Sequence, residues 1–381
     1  MPAGDSPLEP LSTSRTGQTA ALRDGDVPVA VFGDPSLPHP PVSAAVSSRL
    51  DSALGELSVF GVAEDRTVGL RESHSLAAAE TVRLAGQAAV VDQGDRAARS
   101  PNQDYFCIRT AQLTGDEAAA ENLRVIRDAV GDLVDAPLAG SDLARTINAI
   151  RLVLRRSVRF ASTPDSPRPR EAERALPTDH QRWMRRWIIA HQLHAMFNVY
   201  GAYAVGDAIR GLREGDEEVA TRELSEAAVL VTAFAPARAQ ALAVPPEFYE
   251  EVLRPTMLPP LTNAPLSGRM HDEYQAFQTA LAALVSALPD TVTELARTNA
   301  PLALARERLF EADLIEAERH ITLIEPLIGS ARSIVQGPRS VDNAVTVLRR
   351  IRHQRAARAA PFMRFADRLA SDPAPRDEDP A

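Results

Sequence analysis

Lysine is absent from the 381-residue sequence, and all 42 of its basic residues are arginine. Schiff-base aldolases and pyridoxal-phosphate enzymes are thereby excluded, because each needs a protein amine as nucleophile. A P-loop is excluded for want of its phosphate-binding lysine. Cysteine occurs once, at Cys107, so no internal disulfide, Cys-x-x-Cys zinc site or cysteine-ligated iron–sulfur cluster can form within one chain. That usage fits the cytoplasm. No apolar run reaches membrane-spanning length, and the amino terminus MPAGDSPLEPLSTSRTGQ lacks the basic and apolar regions of a secretory signal. A formal charge of −9 provides no basic field for nucleic acid or an anionic membrane.

Several catalytic signatures are missing too. Cys107 lies too early to be the thiolate of a P450. None of His191, His194, His271 and His320 follows a glutamate by three positions, as a di-iron carboxylate bundle requires. Neither an aspartate-rich magnesium motif nor a G-x-S-x-G elbow occurs.

What the sequence does hold is 45% hydrophobic residues, enough for a substantial core. Residues 1–45, with PSLPHPPV, read as a flexible leader, and residues 46–113 as a small mixed α/β region of short β-prone pieces such as LSVFGVA, QAAVVDQGD and DYFCIRT. From Thr114 onward apolar residues recur three and four apart, so residues 114–370 read as a helical domain before a flexible tail at 371–381. Asp179 is placed to cap the longest helix, which the Gly211–Gly215 region ends, and Ser267 is placed to begin another. The expected fold is mostly α.

Two helices carry the chemistry. Trp183, Trp187, His191 and His194 form one stripe of the long helix at spacings of four, four and three. His320 shares a face with Leu323, Ile324 and Leu327, with Glu316 one turn before it. An imidazole on an apolar helix beside a carboxylate suits a haem-iron ligand, with Nε2 on the metal and Nδ1–H oriented by an acceptor. A core histidine beside a surface glutamate has the same spacing. His39 and His74 in irregular segments, His180 at a helix start and His353 among arginines have no such setting.

Three segments, in order, resemble the haem-binding core of tryptophan 2,3-dioxygenase and its relatives. WIIAHQLHAMFNVYGAYAVGDAI resembles the family helix bearing a His-Gln pair, here His191 and Gln192, with Trp187 as the aromatic one turn earlier. APLSGRMHDEYQAF matches a second family segment at Ser267, Gly268 and Tyr274. HITLIEPLIGS resembles the segment of the axial ligand, placing His320 on the ligand and Gly329 nine residues later. VPPEFYEEVLRP also resembles part of monodechloroaminopyrrolnitrin synthase, and the long N-terminal extension resembles in extent that of the haem-dependent tyrosine and methyltyrosine hydroxylases.

The resemblance implies a helical fold holding one non-covalent haem b, with His320 and Gly329 at the cofactor and His191 as catalytic residue. It further implies a substrate pocket of Trp187, His194, Arg269, Tyr274 and Gln275, and a homodimer. Gln275 falls where the family has the arginine that grips the substrate carboxylate, so Arg269 is the alternative anchor; Ile324 stands where some hydroxylases bond the haem through cysteine. The implied function is a haem-dependent oxygenase or peroxygenase that hydroxylates an aromatic amino acid or related metabolite in specialised metabolism, using O2 or H2O2. A ring-cleaving dioxygenase of tryptophan type and a non-catalytic helical ligand-binding protein are the alternatives.

Overall fold

A computed structural model describes residues 29–44, 46, 47, 50, 51, 69–71, 100–158, 178–268, 271–328 and 343–364. Most of the β-prone pieces between 52 and 99, the leader before 29, Arg269, Gly329 and the tail lie outside the described residues.

The described chain begins with β1 (Ala30–Phe32), followed by the short helix α1 (Pro101–Tyr105) and β2 (Ile108–Thr110). β1 and β2 pair in parallel, Ala30 opposite Ile108 and Phe32 opposite Thr110. Residues 30–32 fall in the leader expected from the sequence. They are instead fully buried, because Ala-Val-Phe between proline-rich flanks is a complete three-residue strand that inserts into the core. Helices α2 (Gly115–Leu133), α3 (Gly140–Val158), α4 (Asp179–Glu214), α5 (Glu217–Thr232) and α6 (Phe234–Ala241) follow. A short helical segment at 246–256, π-helical over Tyr249–Leu253, leads to α7 (Asp272–Ala287), α8 (Val292–Thr298), α9 (Ala300–Ile328) and α10 (Ala344–Ala359).

Local chemistry sets several of these boundaries. Thr114 and Glu117 form a reciprocal capping box before α2. The cap of α4 is Thr178 rather than Asp179: its hydroxyl accepts from the Gln181 amide, and Gln181 reaches back to the Thr178 amide. Each such cap contributes about 1 kcal/mol. Gly215 closes α4 at φ 77°, a left-handed position that glycine adopts at little cost. The helix expected from Ser267 starts instead at Asp272.

Helix α4 is the spine. Nearly all of it from Trp187 to Ile209 is buried, packed on α5, α6, α7 and α2. Gly201 permits the approach of α7: a Cβ there would lie 3.1 Å from the Phe277 ring. On the far side α9 packs on α5 and carries α10. The space between α4 and the α9–α10 pair is where the histidines meet.

Candidate active site

A cavity of about 290 Å³ lies between α4, α6, the helical segment at 246–256, the start of α7, α9 and α10. One wall is aromatic. Trp187 and His191, one turn apart on α4, have ring centroids 4.3 Å apart, and Phe106 stacks on His191 at 4.1 Å and 17°. His271, at the cap of α7, lies nearly parallel to His191 at 6.0 Å. The opposite wall is aliphatic, with Ile324 and Ile328 of α9 and Val347, Leu348 and Ile351 of α10 around His320.

Phe106 reaches this wall because the N-terminal unit is pinned to α4. The Gln192 amide donates to the carbonyls of Phe106 (3.1 Å) and Cys107 (3.3 Å). Cys107 has φ 52°, a left-handed conformation that costs a non-glycine residue about 1 kcal/mol or more and is sustained by such surrounding contacts. Asn102 of α1 likewise donates to the Ser267 carbonyl at 3.0 Å.

The three cavity histidines are neutral imidazoles. Burial, reinforced by the neighbouring His271, pushes the pKa of His191 down to about 3. Burial and then Arg238 bring His271 to about 4 and hold His320 well below the ordinary histidine value. His191 Nδ1 lies 2.6 Å from the Trp187 carbonyl oxygen. A carbonyl can only accept, so Nδ1 carries the hydrogen and Nε2 keeps its lone pair. His271 has the carboxylate of Glu273 4.0 Å from its Nδ1.

Beside His320 stands a buried ionic cluster. Arg238 of α6 pairs with Glu316, and Arg355 of α10 donates to Glu316 (3.1 Å), to Asp313 (3.1 Å) and to the Tyr274 hydroxyl. Burial, with Arg355 as the next cause, pushes Arg238 down to about 10, still cationic at neutral pH. Glu316 therefore serves two guanidinium groups rather than the imidazole one turn beyond it. The deciding factor is that two charge-assisted bonds outweigh one neutral hydrogen bond.

A family model described as SfmD 3-methyl-L-tyrosine peroxygenase matches residues 22–305. The chain belongs to this family. It is accordingly an oxidoreductase of the peroxygenase type, acting on an aromatic amino acid or related metabolite. A crystal structure of reduced SfmD, soaked with sodium hydrosulfite, is similar to the chain with a TM-score of 0.51 and 21% identity, over 75% of this chain and 96% of that one. That similarity shows the mostly helical fold. No curated protein matches the chain.

Of the residues that the sequence reading assembled, Trp187, His191, Tyr274 and His320 line the cavity. His194 does not. It is buried one turn beyond His191, against Phe234 at 5.2 Å, with Asn198 bonding its backbone carbonyl. Gln275 is exposed and off the cavity, since the helix turns it away from the face that Tyr274 presents. Arg269 and Gly329 lie outside the described residues. Trp183 packs on Phe248 and His180 rather than in the cavity.

Phe106, Arg238 and Arg355 are cavity residues that the sequence does not mark, and His271 joins them. His271 stands four residues after Ser267 in a segment already singled out, and that position was its available signal. The other three have none, because tertiary packing alone brings them to the cavity. His39, set aside by sequence, holds the Tyr200 hydroxyl at 3.0 Å.

Proposed function

We propose that the chain binds one non-covalent haem b in this cavity and hydroxylates a phenolic amino acid, tyrosine or a 3-alkyl tyrosine, with hydrogen peroxide as oxidant. The observation that carries the reading is the donor set: neutral imidazoles on facing walls of a largely apolar cavity, with arginines among its lining. Among the described residues, no three His, Cys, Asp or Glu side chains stand close enough to chelate a bare metal ion. A porphyrin, which brings its own four nitrogens, needs a single imidazole and an apolar slot.

The residues fit that group. His320 would hold the iron from the α9 wall, where Ile324, Ile328 and Leu348 exclude water. Gly329, which follows Ile328 in the sequence, is proposed as a second cofactor residue. Ile324 offers only hydrocarbon where a thioether would need cysteine, and Cys107 is not part of the lining, which is the ground for non-covalent attachment. When bound, the haem supplies the two-electron redox chemistry of peroxide activation.

The chain's own residues orient the reactants and move protons. His191, with Nδ1–H fixed on the Trp187 carbonyl, presents Nε2 to accept a proton from peroxide or from the substrate phenol. Trp187 and Phe106 supply flat surface for the aromatic ring. Arg269, adjacent to the cavity residue Gly268, is the proposed anchor for the substrate carboxylate. The enzyme is proposed to work in the cytoplasm as a homodimer.

The test is spectroscopic first and chemical second. Purified protein should show a Soret band that shifts on titration with tyrosine or 3-methyltyrosine, and acid–organic extraction should release all the haem. With labelled peroxide, the product should gain one labelled oxygen. Protein that folds but takes up no haem would sink the reading, as would a product with two added oxygens and an opened ring.

A further inference from the structure

Tyr274 stands in the first turn of α7 and lines the cavity. Its hydroxyl oxygen accepts a hydrogen bond from the Arg355 guanidinium, whose carbon lies 5.6 Å from the ring centroid. Arg355 is itself fixed by Asp313 and Glu316 of α9 at 3.1 Å each. A guanidinium can only donate, so the Tyr274 hydroxyl cannot direct its own hydrogen at Arg355. That hydrogen is left for the contents of the cavity. His191 is the complement: its Nδ1–H is committed to Trp187, and its Nε2 can only accept. The cavity thus offers a fixed acceptor on α4 and a fixed donor on α7.

We infer that Tyr274, held by Arg355, is the residue that protonates the leaving oxygen of the peroxide. The inference rests on the proposed peroxide-dependent hydroxylation. In the step it describes, His191 Nε2 takes the proton of the inner peroxide oxygen. The O–O bond breaks with both electrons on the outer oxygen, which takes the Tyr274 proton and departs as water. The inner oxygen, two electrons short, bonds to the ring carbon as that carbon's C–H bond breaks and its hydrogen ends on the oxygen, and the proton on His191 restores Tyr274. The sum is arene plus hydrogen peroxide to phenol plus water. Arg355 acts as a positioning residue that stabilises the transient phenolate.

The experiment uses holoenzyme carrying Tyr274→Phe, which removes one oxygen atom and leaves the Arg355 bonds to Asp313 and Glu316 in place. Haem content and Soret position should match the wild type, while kcat with hydrogen peroxide falls at least about tenfold, a bound set below the roughly 10²- to 10⁴-fold that a general acid contributes. Supplying a peroxyacid, whose carboxylate leaves without needing a proton, should restore most of the rate. The C–O stretch of the ferrous carbon monoxide complex should rise on loss of the donor. Unchanged turnover with peroxide, or equal loss with both oxidants, overturns the assignment.

If the phenylalanine variant loses haem, difluorotyrosine at position 274 keeps the shape and the Arg355 contact. It alters only the donor O–H, so the rate with hydrogen peroxide should change while the rate with the peroxyacid stays at the wild-type value. A peroxide rate equal to that of the wild type, or an equal change with both oxidants, overturns the assignment. Wild-type protein that holds no haem would fail the functional proposal instead, so the two failures are distinguishable.

Discussion

Across the cavity, rings of Trp187, His191, Phe106 and His271 face a wall whose other members around His320 are Ile324, Ile328, Val347, Leu348 and Ile351. Each wall carries imidazole, yet the surroundings differ. On the aromatic side the rings stack within 4.1–6.0 Å and the polar atoms of His191 are already assigned, one to a carbonyl and one to the cavity. On the aliphatic side branched hydrocarbon surrounds the imidazole, and the arginines that share the cavity lining are engaged in the Arg238–Glu316–Arg355 cluster. The contrast separates two tasks: branched hydrocarbon around one imidazole suits holding a macrocycle, and stacked rings around the other suit an aromatic substrate.

The largest effect is expected from the aliphatic wall. His320→Ala should lose most of the haem while the protein stays folded, because the side chain lies on the cavity and its removal leaves the buried face of α9 intact. Haem content per folded chain is the measurement. A variant that keeps wild-type content and spectrum would transfer the ligand role across the cavity, first to His271, whose Nδ1 faces Glu273.

The aromatic wall should respond in turnover rather than in cofactor content. His191→Ala is expected to retain haem and lose at least about tenfold in kcat, a bound set below the roughly 10²- to 10⁴-fold that a general base contributes. His194→Ala should leave kcat within about twofold, since His194 is off the cavity against Phe234. The reverse pattern would mean that α4 presents a different face in the working enzyme.

How far this contrast was legible in the sequence follows from where its parts lie. His191 and Trp187 on α4, and His320 and Ile324 on α9, sit within single helices whose three- and four-residue periodicity marks the inward face. Phe106 stands 85 residues from His191 and reaches it only through the Gln192 clamp on Phe106 and Cys107, a contact with no local pattern. Arg238 and Arg355 look like surface arginines until Glu316 and Asp313 pair with them. Glu316 was noticed for its spacing from His320, but spacing does not reveal which cation competes for a carboxylate. The Thr178 cap was readable: Thr-x-x-Gln ahead of an apolar run is a capping box, and the adjacent Asp179 obscured it.

The smallest effect concerns the attachment of the N-terminal unit that supplies Phe106. His39 lies against Tyr200 and Tyr203 of α4, with ring centroids 5.4 and 5.2 Å away. Burial, and secondarily the charge of Arg156, lowers its pKa from 6.5 to about 4. With the folded value below the unfolded one, the unfolded chain binds the proton more readily at acid pH. The contribution of neutral His39 is therefore complete above about pH 6.5 and declines as the pH falls toward 4, reaching a loss of up to roughly 2 kcal/mol at pH 5. His39→Gln can still accept from Tyr200 but does not titrate in this range. Its stability difference between pH 7.5 and pH 5, from urea midpoints, should be smaller than the wild-type difference by up to that amount. Equal differences in the two proteins would show that His39 does not couple this docking to pH. A smaller difference, accompanied by retained stacking of Phe106 on His191 at pH 5, would place the acid-labile contact on the N-terminal unit and leave the aliphatic wall unaffected.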